Sequence, residues 1–137
     1  MIIADTGAVI ALIDADDRQH GILLGVFEDD SAAWVLPWAV LPEVDYLLVE
    51  HLGPDVAMEF VRDLAEGRWF VDWGDPEDLQ RALALCEQYA SLKLGLVDAV
   101  VIATAERLRA SDIATLDLRD FGAVAIEGQP RLLPRDL

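Results

Sequence analysis

Four acidic residues, Asp5, Glu43, Asp98 and Asp117, interrupt segments that are otherwise apolar and periodic. The opening stretch Met1-Ile-Ile-Ala-Asp5-Thr6-Gly7-Ala-Val-Ile-Ala-Leu-Ile13 carries one carboxylate near its centre. Burying an unpaired carboxylate costs several kcal/mol, so such a group is paired, hydrogen-bonded or bound to a cation. Four oxygen donors, with no His or Cys among them, suit a hard ion such as Mg²⁺ or Mn²⁺ rather than zinc. An ion of that kind lowers the pKa of bound water and stabilises charge on a phosphoryl oxygen. Each acid also has a plain structural reading. An Asp after a strand caps the next helix, and acids in a first helical turn complement the helix dipole. That reading covers each residue singly, but not why all four border apolar faces.

Short strands and helices must bring these acids together. Met1 to Ala4 reads as a buried strand, followed by a helix over 7–13 and a second over 21–27. Trp34 to Leu36 is a strand, and Pro37 and Pro42 bracket the entry to a helix that ends near His51. Helices are expected over 55–66, from Asp75 to about Ala90, and over 96–108, with a strand at 69–72. Strands at 113–116 and 123–126 complete the pattern before a Pro-containing tail. Strands alternating with helices imply an α/β sandwich around a mainly parallel sheet, as one domain over residues 1–137. Ligands in such folds bind beyond the carboxyl ends of the strands. Asp5 and Asp117 then follow strands, while Glu43 and Asp98 lie in first helical turns, half-covered at one sheet edge. Asp45 points away from that edge.

The chain has 26 acids against 10 bases, a formal charge of -16, and one lysine, Lys93. That balance argues against a general nucleic-acid coat, which neutralises phosphates with Lys and Arg. It leaves room for a nuclease whose positive charge comes from divalent ions, and favours a basic protein partner. The lone Cys86 lies in a helical pattern and reads as a small core residue in a reducing compartment. No signal peptide or membrane span is expected, because the N-terminus lacks a basic region and Asp5 breaks the apolar run. A cytoplasmic location follows.

Four segments, Ile2-Ile-Ala-Asp5-Thr6-Gly7-Ala, Leu41-Pro-Glu43-Val-Asp-Tyr-Leu-Leu, Leu96-Val-Asp98-Ala-Val-Val-Ile-Ala-Thr-Ala and Ile113-Ala-Thr115-Leu-Asp117-Leu-Arg-Asp120-Phe121, resemble the signature of the PIN-domain ribonucleases, and most closely the VapC toxins of type II toxin–antitoxin pairs. Each motif is weak alone, but the order and spacing span almost the whole chain. The resemblance implies a three-layer α/β/α fold and a Mg²⁺- or Mn²⁺-dependent endoribonuclease that cleaves RNA phosphodiesters with a metal-activated water. It assigns Asp5, Glu43 and Asp98 as core metal-binding acids and Asp117 as the fourth, with Asp120 its rival. Thr6 matches a hydroxyl residue supporting the first Asp, and Thr115 a polar residue near the site. It further implies a homodimer and a cognate antitoxin whose basic segment covers the acidic cleft. Many relatives carry basic residues where this chain has Leu118 and Gly122, so how RNA is gripped is the open point.

Arg18, Lys93 and Arg119 are candidate phosphate contacts, with His20 similar, although solvated surface charge is the stronger reading of each. Trp34, Trp38, Trp69 and Trp73 could stack on bases, but core or dimer packing explains them better. Asp5-Thr6-Gly7 is also the aspartic-protease triplet, yet that site needs a β-rich fold and a second triplet, or a symmetric dimer sharing one site. The more serious rival is a non-catalytic module of the same fold whose acidic cleft captures a basic peptide.

Overall fold

Three consecutive apolar residues, Ile2–Ala4, form the first strand, β1, buried along its whole length. Continuous burial of this kind belongs to parallel strands covered by helices on both faces. In the computed structural model, which describes residues 1–137, β1 is followed by α1 (Thr6–Ile13), α2 (His20–Asp29), β2 (Trp34–Pro37), α3 (Val40–Leu52), α4 (Pro54–Ala65), β3 (Phe70–Asp72) and α5 (Pro76–Gln88). The chain continues through α6 (Leu96–Arg107), β4 (Asp112–Ala114), α7 (Leu118–Ala123) and β5 (Arg131–Leu133).

All neighbouring strands pair in parallel, in the order β3-β2-β1-β4-β5. β1 lies at the centre, and the strand order reverses there, between β1 and β4. Helices flank the sheet as a three-layer α/β/α arrangement. α1 packs on α2 and α3, α3 on α4, and α5 on α6, which lies across β1 and β2. α6 is buried on all sides from Ala99 to Ala105, a pattern of a helix inside a core rather than on a surface.

Local signals explain the element starts. Asp75 and Asp78 make a capping box at α5, with Pro76 in its first turn. Gly53, at φ +93, ends α3 and begins α4 with Pro54 as its first residue. Trp34 and Trp69 pack on Phe27 in the core, and Trp38 is half-buried. Its indole would lie 2.7 Å from a Cβ at Gly74, where φ is +88. Only Trp73 is well exposed.

Two expectations need correction. The segment 123–126 is no strand: Val124 and Ile126 are buried, but the Ala125 N–H donates to the Tyr89 hydroxyl instead of a sheet neighbour. The fifth strand is Arg131–Leu133, between Pro130 and Pro134. It sits at the sheet edge, where flanking prolines are tolerated. The fourth strand ends at Ala114, so Thr115 to Asp117 form a turn beyond the sheet.

Ion pairs tie elements together under this frame. Arg107 on α6 bonds Asp72 at the end of β3 and the buried Asp78 of α5. Replacing Arg107 by Ala leaves Asp78 buried without its cation. The expected loss is about 2–3 kcal/mol in urea denaturation, less than for a wholly buried pair because Arg107 is partly exposed.

Candidate metal centre

Asp5 stands at the exit of β1, where a sheet of this order opens its crevice. Its backbone N–H donates to the Ala114 carbonyl of β4 at 2.9 Å, which fixes it between the two strands. Only 5% of its surface is exposed. As N-cap of α1, its Oδ1 accepts from the Thr6 N–H at 2.8 Å, and its Oδ2 accepts from the Thr115 hydroxyl at 3.0 Å. The hydroxyl that supports Asp5 is therefore that of Thr115. Thr6 serves through its backbone, and its own buried Oγ1 has no partner.

Thr115 links onward. Its Oγ1 accepts from the Asp117 N–H at 3.0 Å, and the Asp117 Oδ1 accepts from the Asp120 N–H at 3.0 Å. Asp117 is the N-cap of α7, and Asp120 lies in that helix's first turn. Asp98, in the first turn of α6, is half-buried, as are Asp117 and Asp120. One carboxylate oxygen from each of Asp98, Asp117 and Asp120 lies within 4.8 Å of the other two. The tightest group thus includes Asp120, and Asp5 and Glu43 stand outside it. Glu43 is in the first turn of α3 but exposed rather than half-covered. It still lies close enough for its charge to act on Asp5.

No arginine or lysine pairs with any of these five acids. Burial pushes the Asp5 carboxyl up to about 6, with the Glu43 and Asp117 charges adding to it and the Thr6 and Thr115 hydrogen bonds opposing it. Burial likewise raises Asp98 to about 7, helped by the charges of Asp5 and Asp117 and by a hydrogen bond with Asp120. The buried Asp120 Oδ1 has no partner. Crowded oxygen donors without a counter-charge, and an orphaned buried carboxylate oxygen, fit a hard divalent ion.

The basic candidates divide. Arg18 is exposed and lines a groove with Thr115 and Leu116. Lys93 is exposed on a left-handed turn at φ +54 before α6, and Arg119 is exposed in the first turn of α7. His20 is engaged within the fold, its Nδ1 2.8 Å from the Ala11 carbonyl. Sequence reasoning missed Arg135, which lines the same groove as Arg18. It lies in the tail beyond every motif, so nothing local marked it.

A family model described as "PIN domain" matches residues 2–127. The chain is similar to Ribonuclease VapC26 of Mycobacterium tuberculosis, with 30% identity over 123 residues covering 90% of this chain and 91% of that protein. Its fold is similar to that of VapC20 of Mycobacterium tuberculosis, described as a sarcin–ricin loop cleaving toxin, with a TM-score of 0.79 and 20% identity over 90% of this chain and 95% of that one. It is also similar to a chain of DNA-bound VapBC from Salmonella typhimurium, with a TM-score of 0.71 and 20% identity over 96% and 95% of the two chains.

The raised carboxyls fix a sign. Between pH 4 and 7 the folded state holds protons at Asp5 and Asp98 that the unfolded chain has released, so stability falls as pH rises through that window. The metal-free melting temperature should fall between pH 5 and pH 8. Asp98→Asn should flatten that fall, by about 3 °C or more across the range. An unchanged pH profile in the folded variant would contradict the crowding of these acids.

Proposed function

This chain belongs to the PIN-domain family, and on that premise we propose that it is an endoribonuclease, the toxin of a type II toxin–antitoxin pair. The observation that carries the reading is the group of uncompensated acids at the β1–β4 crevice: Asp5 buried, with Asp98, Asp117 and Asp120 crowded together beside it. A peptide-binding cleft has no need of a buried carboxylate at the centre of the sheet. The aspartic-protease reading does not survive a parallel α/β sheet with helix α1 starting directly after Asp5.

Asp5, Glu43 and Asp98 would hold a divalent ion, Mg²⁺ or Mn²⁺, with Asp117 as fourth acid. When bound, such an ion makes water a stronger nucleophile at neutral pH and offsets charge on the phosphoryl oxygen. The chain's own residues prepare the place. Thr6 and Thr115 hold the two oxygens of Asp5 in fixed directions. Asp117 spends Oδ1 on the α7 cap, which leaves Oδ2 for the site. Asp98, its carboxyl raised by burial and by the nearby acids, would be deprotonated when it holds a cation.

Structural relatives include VapBC assemblies, and a Klebsiella pneumoniae relative is described as a toxin–antitoxin complex. An antitoxin partner fits a chain of charge -16, its basic segment lying over the acidic crevice. A homodimer is part of the same reading, as is a cytoplasmic location; no helix is long and apolar enough to cross a membrane.

Purified, partner-free protein should cut a mixed tRNA and rRNA pool with Mg²⁺ or Mn²⁺ and not with EDTA. Asp5→Asn and Asp98→Asn, folded by circular dichroism, should lose about a thousandfold in rate, roughly 4 kcal/mol of transition-state stabilisation. Metal binding without cleavage by the folded wild type would favour the peptide-capturing module instead.

Asp117→Asn and Asp120→Asn separate the rival fourth acids. Asn caps a helix as well as Asp does, so Asp117→Asn should stay within about 0.5 kcal/mol of wild-type stability. It should nevertheless lose most activity at low metal, while Asp120→Asn keeps more. The opposite order in a metal titration would give the fourth position to Asp120.

A further inference from the structure

A groove of about 490 Å³ opens beside the acidic centre, sharing Thr115 with it: the hydroxyl that holds Asp5 belongs to a residue of the groove wall. Arg18 and Arg135 stand on this groove, with Ile22, Leu116, Leu118 and Pro134 as its apolar surface. We propose that this groove seats the RNA strand entering the acidic centre, with Arg18 and Arg135 on its phosphates and the apolar residues against ribose and base. The proposal rests on the ribonuclease reading above.

Charge selects the occupant. The chain has only 10 bases, and Arg68, Arg81, Arg107 and Arg131 are committed to ion pairs elsewhere. Arg18 has no carboxylate partner. Arg18 is thus the uncompensated cation of the groove, and Arg135 adds a second guanidinium whose exposed pair with Asp136 a phosphate can share. A basic peptide segment would meet Arg18 with no free carboxylate to pair with beyond Asp17. The one acid on the groove, Asp17, has Oδ1 engaged by the Gln19 N–H at 2.8 Å.

Arg135 is also pre-oriented. Its Nε and Nη2 donate to Asp136 at 2.7 and 2.9 Å, and Asp136 is itself fixed by the Leu132 N–H at 2.8 Å. The Arg135–Asp136 pair is exposed, so solvent screens it and a phosphate meets little competition. Nη1 makes no hydrogen bond and lies 3.7 Å from the place a Cβ would take at Gly122. A planar guanidinium held this way loses little entropy on meeting a phosphate.

The test uses the full-length, partner-free protein. In an Asp98→Asn background, binding of a short fluorescein-labelled single-stranded RNA of mixed sequence is followed by anisotropy with Mg²⁺ present. Arg18→Ala and Arg135→Ala should each weaken binding roughly tenfold. Each should also reduce the slope of log affinity against log salt by about 0.7, and Arg135→Lys should recover part of the loss. In otherwise wild-type protein the same changes should raise KM and leave kcat within about twofold, with unaltered melting temperatures. Unchanged RNA affinity and salt slope in both variants, while wild type cleaves RNA, would overturn the proposal and leave the ribonuclease reading standing. Loss of binding to a basic peptide with RNA binding intact would overturn it too, assigning the groove to a protein segment. A wild type that neither cleaves nor binds RNA would remove the ribonuclease reading, and the proposal with it.

Discussion

A carboxylate held almost wholly out of water at the end of the central strand is the constraint on which the site depends. Asp5 cannot hydrate, because β1 is flanked by β2 and β4 and covered by helices. It has no basic partner. Hydrogen bonds from Thr6 and Thr115 offset part of the cost, but Glu43 and Asp117 add repulsion and the carboxyl titrates near pH 6. Asp98 meets the same problem and titrates near 7. Two acids that resist ionising at the same sheet edge are costly to ionise together, a cost that a divalent cation between them would offset.

Thr115 transmits this constraint to the rest of the fold. Its N–H donates to the Leu133 carbonyl of β5, and its hydroxyl lies between Asp5 and the Asp117 N–H. The edge strand β5 thereby helps set the position of a carboxylate two strands away. Asp117 then does double duty, starting α7 with one oxygen and facing the acid cluster with the other. α6 is buried on all faces from Ala99 to Ala105, so Asp98 in its first turn is carried by a helix that the core encloses.

The sheet and its helices were largely legible because their signals are local. Apolar runs of four residues, the Asp75–Asp78 helix start and the Gly53-Pro54 stop each act within a few residues. β5 escaped notice because Pro130 and Pro134 mimic a tail, while Ala123-Val-Ala-Ile126 imitates a strand without a neighbour to pair with. The acids were legible as types out of place in apolar segments. Their partners were not: which Thr supports Asp5 and how far Glu43 is exposed depend on contacts between elements distant in the chain. Arg135 lies beyond the last motif and reaches Gly122 only through the tertiary fold, so no spacing rule could place it.

The scarcity of positive charge gives the remaining arginines their meaning. Structural pairs consume Arg81, Arg107 and Arg131, each holding an acid at the junction of two elements. Beside the crevice stands the groove that holds Arg18, without a carboxylate partner, and Arg135, in an exposed pair with Asp136, with Thr115 between this groove and the acidic centre. On the reading proposed here, a phosphodiester chain drawn to the arginines meets repulsion one step further on, at Asp5 and Asp98. Only a cation among those acids reverses that field at short range. The metal requirement then applies to productive seating of the RNA as well as to its cleavage. A basic partner segment placed over the acids would exclude both the ion and the strand without touching the groove.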